Sequence, residues 1–268
     1  NNGLLCTVLG AMDVVTQIIA GLLIGTVVAG FVMCRPAQRF KIVLAGGLGG
    51  IFPEVDTLSL MPWFDRTLGK WMGINQSGID IYFGNEWFSH QAFTHSLLGL
   101  LCCTGAIWFL NILFYTHVIK HARTWKAAGS YLAPYFIAFA GGYLLHLVLD
   151  LFTPAGPWGG IRLFFPMDVY IGGWGKLWWW NNYDITLVLF LGLMMNVLSL
   201  ISIPIMDRKM KIIPSMVLAL ALIGISIQIN SRHFNFNQPG YMGREAASHH
   251  IQQQVLAPPV YEAMAWVD

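Results

Sequence analysis

Charged side chains are scarce in this sequence. Of its 268 residues, 15 are Lys or Arg and 13 are Asp or Glu, so only 10% of the chain is charged and the mean hydropathy is +0.59. A soluble domain carries about 25% charged residues. So few charges cannot cover a water-soluble globule, which excludes a soluble enzyme and a disordered protein. A net charge of +2 also gives no basic surface for nucleic acid.

Cysteine is rare as well, and its placement excludes a cysteine metal site. The four cysteines are Cys6, Cys34, Cys102 and Cys103, and no CxxC pair occurs. On the topology derived below only Cys6 lies on the oxidising side of the membrane, so we expect no structural disulfide. No basic segment precedes the first apolar run, which argues against a cleaved signal peptide.

Apolar residues are abundant and are grouped in long runs. About 20 consecutive apolar residues cross a bilayer as a helix. Six runs meet this requirement: 14–33, 42–61, 97–115, 131–152, 185–206 and 212–229. The sequence therefore predicts an all-α polytopic bundle of about six spans. The second span is rich in glycine, which allows a close helix contact, and Pro53 predicts a broken or re-entrant end.

Basic residues predict the orientation of the spans. Loops on the cytoplasmic side carry an excess of Lys and Arg. Three short loops, 34–41, 116–130 and 207–211, hold nine of the 15 basic residues. They alternate with longer, less basic segments, so we expect these loops inside and both termini outside. Residues 1–229 would form the membrane domain, and 230–268 a polar C-terminal tail.

Two further segments lie on the predicted outer side. Trp174, Trp178, Trp179, Trp180 and Tyr183 precede the fifth span. They predict an aromatic belt at the membrane interface, with a lipid-binding lip as the alternative. The segment 62–89 is long enough to form a cap over the outer ends of the helices.

The rare polar side chains of the spans converge on the same predicted face. They are Gln17, Glu54, Asp56, His90, His95, His146 and Asp150, and they come from four different spans. The orientation was derived from Lys and Arg alone, so this convergence is an independent indication of one site.

The residue types and spacings favour a metal centre. His146 and Asp150 are one helical turn apart and share a face. Glu54 and Asp56 are two apart and can point the same way in an extended or turn segment. His90 and His95 are five apart, so we expect His90 in the loop and His95 in the first turns of span three. Imidazole and carboxylate ligands suit zinc first, with manganese or iron as alternatives, and one or two ions.

Each residue taken alone has a simpler interpretation. A single histidine in a span usually hydrogen-bonds to a neighbouring helix, and Glu54 and Asp56 could be loop acids or helix caps. An unpaired carboxylate such as Asp150 near the hydrocarbon is costly, and either a metal or Arg162 would offset that cost.

For the whole set we favour a metal centre. Asp56, His90, His95, His146 and Asp150 would be the ligands, and Glu54 a general base or bridging ligand. Gln17, Gln91, Thr94, Thr153 and Asp168 would lie behind them.

These motifs together resemble the YdjM-like family of inner-membrane putative metal-dependent hydrolases. The matching pieces are 12–17 with Gly21 and Gly25, then 50–56, 90–96 and 146–156, so the resemblance covers roughly residues 12–170. It implies a bacterial inner-membrane hydrolase whose histidines and aspartates hold a divalent metal. It does not supply a substrate.

The sequence departs from the family pattern at three positions. The family usually has His where Gln17 stands, Asp where Glu54 stands and Arg where Gln91 stands. Glutamate keeps a carboxylate, but Gln17 removes a nitrogen ligand, and Gln91 removes a charge that would hold a phosphate.

Three functions follow as hypotheses. The first is a metal-dependent hydrolase on the outer face, acting on an amphiphilic ester such as a phospholipid or polyprenyl phosphate, with membrane lipid as its partner. The second is an impaired hydrolase that serves as an accessory subunit of a larger membrane complex. The third is a small transporter, which the one-sided placement of the acids disfavours because transport sites usually lie near the midplane.

Overall fold

The structure is a computed structural model. It describes residues 14–32, 34–84, 87, 89–118, 124–153, 160–177, 182–202 and 211–231, together with 253–254 and 258. The regular secondary structure of these residues is helical, apart from one isolated antiparallel bridge between Ile161 and Ile171. The predicted aromatic residues 178–180 and nearly all of the predicted tail lie outside the described part, so the division at residue 230 stays a prediction.

The described chain contains eight α-helices. They are α1 (Val14–Phe31), α2 (Pro36–Ile51), α3 (Leu68–Trp71), α4 (Gly78–Phe83), α5 (Leu97–Leu113), α6 (Trp125–Asp150), α7 (Tyr183–Ser202) and α8 (Ile213–Ser231). A 3₁₀ segment (Phe52–Leu60) continues α2, and a π-helical turn (Phe114–Val118) extends α5. Six helices are long and apolar enough to cross a membrane, which confirms the predicted all-α polytopic bundle of six spans.

Two spans begin earlier than their apolar runs. Helix α2 begins at Pro36, since proline fits the first turn of a helix. Helix α6 begins at Trp125, where the Thr124 side chain accepts a hydrogen bond from the backbone of Ala127 (3.2 Å). The apolar pattern locates the lipid-spanning part of a helix and misses its polar first turns.

The second span changes its helix type near Pro53 and continues as a helix to Leu60. At Phe52 the α-helix tightens into the 3₁₀ segment, with Pro53 in its first turn. This segment packs against the short helix α4. The ring of Tyr82 in α4 stacks on His90 with the centroids 4.5 Å apart, so part of 62–89 does lie against the candidate site.

Glycines bring α1, α2 and α6 into close contact. A Cβ on Gly46 would lie 2.3 Å from the backbone oxygen of Gly21, and one on Gly50 would lie 2.3 Å from that of Gln17. On the α6 side, a Cβ on Gly142 would lie 2.1 Å from the oxygen of Gly46. These three helices form the centre of the bundle, and α2 meets both neighbours through glycine.

The remaining spans pack around this centre. Helix α5 packs against α6, while α7 and α8 pack against α1 and each other. Asn196 of α7 ties this side together, because its amide donates to Thr26 Oγ1 (2.9 Å) and to the Pro214 carbonyl (3.2 Å). The arrangement brings the start of α1, the 3₁₀ segment, the turn before α5 and the end of α6 to one end of the bundle.

Candidate metal centre

Four buried side chains meet where these chain segments converge. They are Glu54 of the 3₁₀ segment, His95 of the turn before α5, and His146 and Asp150 of α6. His95 and His146 are fully buried, Asp150 is 2% exposed and Glu54 is 7% exposed. The predicted convergence of polar side chains from separate spans is therefore present in the structure.

The last turn of α6 contributes a histidine and an acid on one face. His146 Nε2 lies 3.0 Å from Asp150 Oδ2. His146 Nδ1 lies 2.7 Å from the carbonyl oxygen of Gly50 in α2. A carbonyl can only accept a hydrogen bond, so the ring proton is on Nδ1. In the neutral ring the lone pair of Nε2 therefore faces Asp150.

Asp56 lies on the opposite side of the histidines from Glu54. Its carboxylate oxygens are 3.2 Å from His90 Nδ1, and Oδ2 is 3.3 Å from His95 Nδ1. Thr94 Oγ1 donates to the same Oδ2 (2.9 Å). A carboxylate that accepts from Nδ1 holds an imidazole with its Nε2 available to a metal. Asp56, which the sequence predicts as a ligand, thus faces the Nδ1 atoms, the side from which a carboxylate orients histidines.

The inward-facing atoms have the spacing of a tetrahedral site. His95 Nε2 is 3.4 Å from His146 Nε2 and 3.5 Å from Asp150 Oδ2. Glu54 Oε1 is 3.7 Å from His146 Nε2 and 3.9 Å from His95 Nε2. Bonds of about 2.0–2.1 Å to a tetrahedral zinc place neighbouring ligand atoms about 3.4 Å apart. The triangle of His95, His146 and Asp150 fits this edge length, and Glu54 lies slightly outside it.

The charge of the cluster also fits a cation. Glu54 Oε2 and Asp150 Oδ2 are buried and accept no hydrogen bond within the described part of the chain. Acceptor atoms that face one another at 3.0–3.5 Å need a proton or a metal between them. Burial lowers the pKa of His95, but the carboxylates of Asp56, Glu54 and Asp150 raise it well above its usual value. The same negative field favours a divalent cation.

Among the described residues, two histidine-containing groups suit a metal, and they share one member. The groups are Glu54, His90 and His95, and His95, His146 and Asp150. His95 Nδ1 faces Asp56, so its Nε2 is the nitrogen left for an ion. The residues thus fit one ion more readily than two.

Two glutamines hydrogen-bond directly to residues of the cluster. Gln17 Nε2 donates to Asp150 Oδ1 (3.2 Å). The side-chain nitrogen of Gln91 is 2.9 Å from His90 Nε2, and Gln91 has a positive φ of 65°. In this conformation Gln91 covers the nitrogen that His90 would offer to a metal.

The other predicted residues lie at different distances from the cluster. Thr153 donates to the backbone oxygen of Asp150 (2.7 Å) at the end of α6. Asp168 is not brought to the cluster: its side chain is 82% exposed and lies 3.4 Å from Arg162 Nη2. Its place in an exposed loop separates it from the buried helix ends. His95 precedes α5, whose N-cap is Ser96, and so is not in the first turns of that helix.

Two groups that hold the histidines could not be predicted from the sequence. The Gly50 carbonyl fixes His146, but a backbone group carries no signal in the residue type. Tyr82 stacks on His90, and an aromatic residue in a loop is too common to single out. The Tyr143 hydroxyl also donates to the backbone of Thr94, which ties α6 to the turn that carries His95.

Comparison with known proteins agrees with the resemblance seen in the motifs. A model of the YdjM inner membrane protein family matches residues 12–233, which extends the resemblance through α7 and α8. No curated protein and no solved structure matches the chain. The family match spans all six long helices and most of the 268 residues, and the chain therefore belongs to the YdjM inner membrane protein family.

Proposed function

We propose that this inner membrane protein is a metal-dependent hydrolase of an amphiphilic ester, such as a phospholipid or polyprenyl phosphate. One observation carries the proposal: the buried triangle of His95 Nε2, His146 Nε2 and Asp150 Oδ2, with sides of 3.0–3.5 Å. Two carboxylate oxygens of this cluster accept no hydrogen bond from the described residues. Three protein ligands with a fourth position open are typical of catalytic zinc sites, whereas structural zinc sites are closed by four.

His95, His146 and Asp150 would hold the ion, with zinc the first candidate. A divalent cation in such a site lowers the pKa of water and polarises a phosphoryl or acyl oxygen. Asp56 and the Gly50 carbonyl would keep both Nε2 lone pairs turned inward. Gln17 would fix the second oxygen of Asp150 through its 3.2 Å hydrogen bond.

Glu54 is the general base of this proposal. Its Oε1 lies beyond the triangle, and its Oε2 accepts no hydrogen bond among the described residues. The carboxylate would take a proton from the attacking water as the new bond to phosphorus or acyl carbon forms. It would return that proton to the leaving alkoxide as the ester bond breaks.

The depth of the cluster supports a lipid substrate. The cluster lies at the ends of membrane-spanning helices, where a headgroup and the hydrocarbon are both within reach. We propose that this end of the bundle is the non-cytoplasmic face, as the distribution of basic loops predicts.

Metal content tests the proposal directly. We expect the purified wild-type protein to contain about one zinc per chain by elemental analysis, as a three-ligand site predicts, and His146→Ala to contain none. His117→Ala is the matched control, because His117 is exposed in the π-helical turn at the far end of α5. Equal metal in both variants, with unfolding temperatures showing both to be folded, would contradict the proposed centre.

Activity separates the hydrolase from an accessory subunit. Zinc-loaded protein in vesicles containing phosphatidylglycerol, phosphatidylethanolamine or undecaprenyl phosphate would be assayed for products by mass spectrometry. We expect turnover of at least one lipid by wild type, and Glu54→Gln to keep its metal but lose turnover. A metal-loaded wild type that is inactive on every lipid and co-purifies with a partner would favour the accessory role.

A further inference from the structure

A deep groove runs along the membrane-spanning part of the bundle. Helices α2 and α5 each pack against α6, and the space between them forms a cavity of about 800 Å³. Its walls are mostly apolar, with Ala45 and Leu48 of α2 on one side, Ile107 of α5 on the other and Phe136 of α6 at its floor. Pockets of 300–1,000 Å³ are typical of small-ligand sites.

The groove runs from the candidate cluster towards the first turns of α2 and α6. Glu54 lines one end, where its buried carboxylate has an oxygen without a hydrogen-bond partner in the described chain. Lys41, Tyr131 and Tyr135 line the other end. From Lys41 to Glu54 the chain rises about 20 Å at the helical rise of ~1.5 Å per residue. The groove is therefore long and narrow.

The lipid that surrounds the groove and the length of the groove favour a hydrocarbon chain as the occupant. All three helices are long and apolar enough to span the membrane, so lipid surrounds the groove. The groove covers about 20 Å of the ~30 Å hydrocarbon core, which is somewhat more than one leaflet of about 15 Å. A single acyl chain matches the length of the groove, whereas a long polyprenyl chain would extend beyond it.

We propose that the groove seats one acyl chain of a phospholipid, with the headgroup at Glu54 and the methyl end between Tyr131 and Tyr135. The inference deepens the proposed function and rests on it for the chemistry at the headgroup. It assigns the substrate class as an acyl phospholipid. The acyl chain bound in the groove would position the phosphate ester or carboxyl ester of the same lipid at the cluster. The competing arrangement has the phosphate on the Lys41 ammonium and the chain pointing towards Glu54.

Photo-crosslinking in vesicles distinguishes the two arrangements. The full-length, zinc-supplemented protein would be reconstituted with phosphatidylglycerol that carries a diazirine either near the carboxyl end or at the methyl end of one chain. We expect the carboxyl-end probe to label 54–58 and the methyl-end probe to label 131–135. The reverse pattern would overturn the proposed direction of the acyl chain. Uniform labelling of all lipid-facing helices would overturn the proposal that the groove binds the chain.

Tryptophan substitutions that narrow the groove can be compared with one on an exposed helix face. Ala45→Trp and Leu48→Trp place an indole in the groove without touching the cluster, and we expect either to reduce methyl-end labelling of 131–135 about tenfold, as overfilling a packed space would. Ala106→Trp, on the exposed face of α5, should leave labelling unchanged. Equal labelling in all three folded variants would overturn the proposal.

Competition identifies the chemistry of the occupant. Excess unlabelled phosphatidate should remove the methyl-end labelling, and undecaprenyl phosphate, whose chain is longer than the groove, should not remove it at the same concentration. Displacement by the isoprenyl phosphate alone would overturn the assignment to acyl lipids. Labelling does not require turnover, so a metal-free or inactive protein with the expected map would contradict the proposed hydrolase and leave the acyl seat intact.

Discussion

Glu54 and Asp56 show how two acids from one short motif take different positions. The sequence predicts both carboxylates near the histidines, pointing the same way if the segment is extended or a turn. A 3₁₀ helix has three residues per turn, so positions two apart diverge by about 120°. Glu54 therefore faces the Nε2 atoms and Asp56 faces the Nδ1 atoms. Residue type predicted the acidic cluster, but the local helix type decided which acid faces the candidate ion.

This geometry predicts a graded effect of substitutions at Asp56. Asp56→Asn keeps the shape but weakens the hydrogen bonds from His90 and His95, so we expect zinc affinity to fall by about 10–100-fold without being lost. Chelator competition on the purified variant measures this change. Asp168→Asn is the control, since Asp168 is exposed and paired with Arg162. Complete loss of zinc in folded Asp56→Asn would indicate that Asp56 is itself a ligand.

At the scale of elements, glycine determines how α2 meets its neighbours. The glycine-rich second span predicted one close helix contact, and the structure has two, with α1 and with α6. Glycines at 46, 47, 49 and 50 cover more than one face of a helix, so their spacing could not assign the partners. The 3₁₀ segment that follows α2 could not be predicted from the sequence either, because Pro53 is compatible with a break in the helix or with a tighter first turn.

The close contact predicts a strong effect of one added methyl group. A Cβ on Gly46 would lie 2.3 Å from the Gly21 oxygen and 2.8 Å from the Gly25 nitrogen, both backbone atoms. We expect Gly46→Ala to destabilise the protein by about 1–3 kcal/mol, measured by denaturant titration in detergent. Gly105→Ala in α5 meets no atom within 4 Å and should be neutral or stabilising by up to ~1 kcal/mol. Equal stability of the two variants would argue against the α1–α2 contact.

At the scale of the whole molecule, six spans were predictable because the bilayer sets helix length and composition. The convergence of four chain segments was predictable too, because alternating spans bring every second helix end to one side. The orientation rests on the three basic loops, of which residues 119–123 in the loop 116–130 and residues 207–210 in the loop 207–211 lie outside the described residues. The membrane face of the cluster therefore needs its own measurement.

Labelling of single cysteines would determine that face. In a protein whose native cysteines are replaced by serine, we expect Trp71→Cys to react with a membrane-impermeant maleimide in intact spheroplasts. Trp71 is 83% exposed and lies on the cluster side. Ala37→Cys, at the exposed start of α2, should react only after permeabilisation. The opposite pattern would place the cluster on the cytoplasmic face.

The candidate ligands come from segments that are far apart in the chain, and this has a thermodynamic consequence. His95 precedes one span, while His146 and Asp150 end the next, and Tyr143 and Gly50 join them to the turn and to α2. An ion bound there ties separate spans together and has no equivalent site in the unfolded chain. By mass action, free metal at a hundred times its dissociation constant would then add about 2.7 kcal/mol to the stability of the bundle. Metal availability would thereby regulate how long the folded protein survives in the membrane, in addition to its chemistry.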